Sequence, residues 1–143
     1  MSASNYLEEK LGSVLLRTQA AYKPAAIAIS LHTADPTDVT ATAAANEVAN
    51  SGSYARVAVT QSDANWNAPT TDGVFSNINA ITFPSPTGSW GVVTHFAIWD
   101  SATYGGGNLL ASGALGTSKT INDGDAAPSF AGGSPGALVV TFS

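Results

Sequence analysis

The sequence predicts a mainly β fold: an antiparallel β-sandwich, jelly-roll or Ig-like, with one N-terminal α-helix. Three observations predict it. The hydrophobic period changes from 3.6 to 2 at Lys23-Pro24. Short β-branched and aromatic runs then recur between Gly, Pro, Asn and Asp. No second amphipathic helical pattern follows residue 20, which argues against βαβ units. Residues 1–143 read as a single domain, with a helix over 5–17 and a sandwich over 24–143.

The helix is marked by Asn5 followed three residues later by Glu8, a capping-box spacing in which two orphan backbone N–H groups are satisfied reciprocally. Glu8 and Glu9 complement the positive end of the dipole and Arg17 the negative end. Leu7, Leu11, Val14 and Leu15 form one apolar stripe, which either covers a face of its own domain or docks on a neighbouring subunit.

In the first strand Ile27, Ile29 and Leu31 alternate with Ala26, Ala28 and Ser30, the pattern of a half-buried strand. Asp35-Pro36-Thr37-Asp38 ends it, and Val39 to Ser53 reads as a long loop of small residues with room for a brief strand or turn. Further strands are expected at Tyr54 to Gln61, Val74 to Asn77, Ala80 to Phe83, Val92 to Trp99, Asn108 to Ser112, Ser118 to Ile121 and Ala137 to Phe142. Val92, Thr94, Phe96 and Ile98 share one face, and Val93, His95, Ala97 and Trp99 the other. A strand apolar on both faces is either central or covered by another chain. Leu138, Val140 and Phe142 repeat the pattern, so the C-terminus is expected to be built into a sheet.

Charged residues make up 10% of the chain, and the net charge is −5 with five Lys and Arg. No basic stripe is available to neutralise phosphates, which excludes nucleic acid as an expected partner. No apolar run reaches the roughly 20 residues of a membrane helix, and no signal-like n- and h-region opens the chain. There is no cysteine, which fits a reducing cytoplasm.

The residue types needed for catalysis are sparse, and no enzyme activity is expected. His32 and His95 are the only imidazole bases, and His95 reads as a histidine satisfied within a strand. Gly88-Ser89-Trp90-Gly91 lacks the spacing of a G-x-S-x-G nucleophile elbow. Asn122-Asp123-Gly124-Asp125 resembles a calcium loop, but the twelfth position of an EF-hand falls on Ser134, so it reads as a tight turn. His32 with Asp35 is too few ligands for zinc, and Asp35 with Asp38 reads as a turn rather than a glycosidase pair. Gly105-Gly106-Gly107 precedes no helix, so it is a flexible hairpin loop rather than a phosphate cradle. No metal or cofactor is expected.

A surface poor in Lys and Glu, with aromatic anchors, suits protein–protein contact. The candidate interface residues are Leu7, Leu11, Trp66, Trp90 and Tyr104, the three aromatics being equally compatible with burial in their own domain. Arg56 is expected to be structural, stacking on Tyr54 or pairing with Glu47.

Several blocks carry a resemblance. They are Tyr6-Leu7-Glu8-Glu9-Lys10-Leu11, Leu31-His32-Thr33-Ala34-Asp35-Pro36-Thr37, Glu47-Val48, Gly52-Ser53-Tyr54-Ala55-Arg56-Val57-Ala58-Val59 and Ile81-Thr82-Phe83-Pro84. The longest is Gly88-Ser89-Trp90-Gly91-Val92-Val93-Thr94-His95-Phe96-Ala97-Ile98-Trp99-Asp100, followed by Gly107-Asn108-Leu109-Leu110 and Lys119-Thr120-Ile121-Asn122-Asp123-Gly124-Asp125. In this collinear order the chain resembles the small virion proteins of tailed bacteriophages called head decoration, head fibre or tail fibre proteins. The resemblance implies a non-enzymatic virion component made in the bacterial host cytoplasm. Its implied role is first a capsid decoration (cement) protein on the outer capsid surface, bound to the major capsid protein and forming a homo-oligomer, with a trimer favoured. A tail, baseplate or fibre component is the alternative, and a host-glycan-binding module a third.

Overall fold

The computed structural model describes residues 2–37, 46–69 and 73–142. Its elements in chain order are β1 (Ser2–Ala3), α1 (Asn5–Leu16), β2 (Ile27–His32), β3 (Val57–Val59), β4 (Val74–Ser76), β5 (Ile81–Thr82), β6 (Gly91–Trp99), β7 (Leu109–Ile121), β8 (Ser129–Phe130) and β9 (Val139–Thr141). The fold is mainly β, with antiparallel sheets and a single N-terminal helix among the described residues. Five strands form one sheet in the order β1-β7-β6-β2-β3, while β4-β9 and β5-β8 form separate ribbons. Phe75, Val140, Ile81 and Phe130 of the ribbons share one core with Ile29, Leu31, Phe96 and Ile98 of the large sheet, a sandwich-like arrangement. No described helix is long and apolar enough to cross a membrane.

The helix begins one residue earlier than its capping pattern suggests. Ser4, not Asn5, is the N-cap, and its hydroxyl accepts from the Leu7 N–H at 3.2 Å. The reason lies in the preceding strand. β1 pairs with β7, the Ser4 N–H donates to the Leu110 carbonyl at 2.9 Å, and its hydroxyl donates to the Leu109 carbonyl. Buried Ser4 therefore pins the chain to the sheet edge and opens the helix at once. β1 has only two residues, too few to show any period.

β2 is buried on both faces, not half-buried. Ala28, Ser30 and His32 are as inaccessible as Ile29. Trp99 covers this second face: it pairs in register with Ala28, its indole N–H donates to Ser30 Oγ at 2.7 Å, and its ring stacks on His32. β6 is accordingly a central strand, lying between β2 and β7 and buried from Phe96 to Trp99 by its own chain.

Two-residue alternation fails in the first half of β6. Val93 is core and Val92 is 49% exposed, so Val92 and Phe96 do not share a buried face. The pairing with β7 shifts register between Val93 and His95, and this irregularity swaps the sides. The same shift explains why Asn108 to Ser112 and Ser118 to Ile121 are one long strand rather than two. Residues 113–117, which contain two glycines and read as a turn, run through as the irregular middle of β7.

Four expected strands are shorter than their hydrophobic runs, and Tyr54 and Arg56 precede β3 rather than belonging to it. The C-terminus is in a sheet, as expected, but in the ribbon with β4, and Phe142 is 44% exposed. Of the expected small-residue loop, residues 39–45 lie outside the described residues, as does Asp38. Beyond them Glu47 bridges to His32, and the Val48 N–H donates to the Leu31 carbonyl at 3.0 Å.

Candidate functional site

The ionisable groups that meet in the interior brace the fold. Arg56 Nε and Nη2 clamp both oxygens of Glu47 at 2.9 and 2.8 Å, with both side chains fully buried. Its Nη1 donates to the Ser101 carbonyl at 3.1 Å and the Gly106 carbonyl at 2.8 Å. The guanidinium lies over the ring of Trp99, 4.1 Å from its centroid. Of the two expected arrangements, pairing with Glu47 is the one formed, and the stack is on Trp99 instead of Tyr54. Tyr54 donates its hydroxyl to Glu47 Oε1 at 2.9 Å and accepts from the Leu31 N–H at 3.0 Å. Burial, with the Glu47 charge beside it, pushes this phenol well above the usual tyrosine range, so it stays a protonated donor.

Ser30 Oγ and His32 Nε2 lie 2.7 Å apart, the spacing of a nucleophile and its base, and sequence reasoning did not pair them. Both side chains are inaccessible to solvent and the serine oxygen also accepts from Trp99, so the pair ties β2 to β6 within the large sheet. His95 is half-buried, with Nδ1 2.8 Å from Thr94 Oγ1.

The glycine loop is a cradle for arginine more than a flexible hairpin. The Gly106 carbonyl holds Arg56, and Asp100 accepts from the Asn108 backbone and side chain at 2.6 and 2.8 Å. A Cβ at Gly107, where φ is +77°, would come within 2.5 Å of Ser101 Cβ. At the Asn122 turn the Asp125 carboxylate accepts from the Asn122 N–H at 2.7 Å. Asp35 likewise accepts from the Thr37 N–H at 3.0 Å. No group of three or more metal-ligating side chains gathers among the described residues.

An apolar groove of about 450 Å³ opens between α1, the large sheet and the β4-β9 ribbon. Leu7, Leu11, Ile27, Trp66, Phe75 and Phe142 are prominent in its lining, and Asp63 is a charged side chain on it. Trp66 Nε1 is buried with no hydrogen-bond acceptor among the described residues. A buried indole N–H without a partner is uncommon in a finished core. Only the first half of the helix stripe packs on the domain: Leu7 is buried, Leu11 is 44% exposed and Leu15 is 80% exposed.

The structure therefore brings Leu7, Leu11 and Trp66 together at one groove and places Trp90 and Tyr104 elsewhere. Trp90 belongs to the core. Its indole N–H donates to the Gly52 carbonyl at 2.8 Å and its ring meets Tyr54 edge-on. Tyr104, half-buried, also packs edge-on against Tyr54. Sequence reasoning missed Phe75 and Phe142 as groove residues. Strand alternation gave no sign that the ribbon ends beside the helix.

A protein-family model described as Podophage GP4 fiber I protein gp80 matches residues 2–137, nearly the whole chain. No curated protein matches the chain significantly.

Proposed function

Because the chain belongs to the family described as Podophage GP4 fiber I protein gp80, a family of phage virion fibre-type structural proteins, we propose that it is a capsid decoration component. In this reading it projects from the outer capsid surface, binds the major capsid protein, and acts through contact without catalysis. The observation that carries the reading is the open apolar groove, flanked by exposed leucines, on a chain with only 10% charged residues. Contiguous exposed apolar surface marks an interaction site, and a surface poor in long ionic side chains loses less rotamer freedom on association. Repeated over a shell, weak contacts add by avidity.

The family's description as a fibre protein favours a second reading, a component of a tail or baseplate fibre. Imaging intact virions with this protein labelled separates the two. Decoration predicts label at regular positions over the shell. Label confined to the tail supports the second reading, and particles without label overturn both.

A further inference from the structure

The far end of α1 presents a plug that matches the groove. Leu15 and Leu16 are 80% and 86% exposed, so the chain that carries them does not cover them. Leu15 continues the Leu7-Leu11 stripe one turn beyond the groove. Arg17, which follows at once, and Asp63, on the groove lining, form no ion pair among the described residues. The Arg17 N–H closes on the Ser13 carbonyl at 3.1 Å, which leaves the carbonyls of Val14, Leu15 and Leu16 beyond the last intrahelical bond. The groove holds a complement to the leucines and to the arginine: apolar volume and a carboxylate.

We propose that the C-terminal end of α1 from one copy of this chain seats in the groove of a second copy. Leu15 and Leu16 enter the cavity and Arg17 meets Asp63. A second copy is the favoured occupant, because one sequence supplies plug and socket with opposite charges at the contact. The contact is head-to-tail, so closure about a rotation axis makes a ring. The inference rests on the structural-component reading and names the self-assembly surface of that component.

The test is sedimentation velocity of the full chain over a concentration series. The wild type associates, and Leu15→Ser/Leu16→Ser weakens association by about 100-fold, the loss expected for two buried leucines. Its thermal unfolding as a monomer is unchanged, because the altered residues are exposed. Arg17→Asp and Asp63→Arg each weaken association about three- to tenfold, and the double swap restores it. A wild type that stays monomeric, an oligomer indifferent to the leucine pair, or a swap that fails to restore association overturns the proposal.

Binding to virions keeps the two readings apart. A leucine variant that stays oligomeric and still decorates particles refutes the plug while leaving the virion role intact. Assembly as described, by a protein absent from particles, refutes only the role. A monomeric wild type whose leucine variant no longer binds virions assigns the leucine-tipped helix end to another virion protein and overturns self-docking.

Discussion

Arg56 uses four of its five N–H donors inside the protein, on one carboxylate and two carbonyls, while its plane lies on an indole. It ties the segment before β3 to the β6–β7 loop. Arg56→Met should cost about 3–5 kcal/mol in urea unfolding, because Glu47 stays buried without its cation. Arg56→Lys should recover little of this, since an ammonium reproduces neither the fork nor the stack. Tyr54 adds a pH dependence. Its phenol is held above the ordinary value of about 10, so the folded state keeps a proton that the unfolded state releases. The contribution is complete below the unfolded value and is lost as pH rises through it towards the folded one. Thermal midpoints should therefore hold through neutral pH and fall above about pH 10, and less steeply in Tyr54→Phe. The two candidate partners of Arg56 were legible in sequence, but the stack on Trp99 was not, because β6 reaches it only through long-range pairing.

The elements show where periodicity informs and where it fails. The helix was legible from its stripe and acidic first turn, and its length was correct to within a residue. Its cap was not, because Ser4 is chosen by sheet carbonyls that the local sequence cannot reveal. Ser4→Ala should lose about 1 kcal/mol, within the range for N-caps, measured by urea unfolding. Leu7→Ala should cost about 2 kcal/mol or more, whereas Leu15→Ala should change monomer stability by less than about 0.5 kcal/mol. That contrast checks that only half the stripe packs on its own domain. In the strands, alternation located β2 and the second half of β6 but misplaced Val92. A register shift of β7 opposite Thr94 reverses the sides without leaving a mark in the hydrophobic pattern.

On the scale of the whole molecule, the sandwich-like body buries the one ion pair found among the described residues and leaves an apolar groove and a leucine-tipped helix outward. The mainly β class followed from composition and turn spacing, since short β-branched runs between turn residues have few other solutions. The groove did not, because it forms where helix, sheet and ribbon meet, and no segment records that meeting. Only Leu7, Leu11 and Trp66 of its lining stood out beforehand, as an unassigned stripe and an aromatic between asparagines. With only 10% charged residues, the proposed attachment to particles should resist added salt better than a charge-driven contact would. The most direct test is the number of copies per purified virion, counted by quantitative mass spectrometry against labelled peptide standards. The account predicts hundreds of copies in fixed ratio to the major capsid protein, and purified particles that contain none would contradict it.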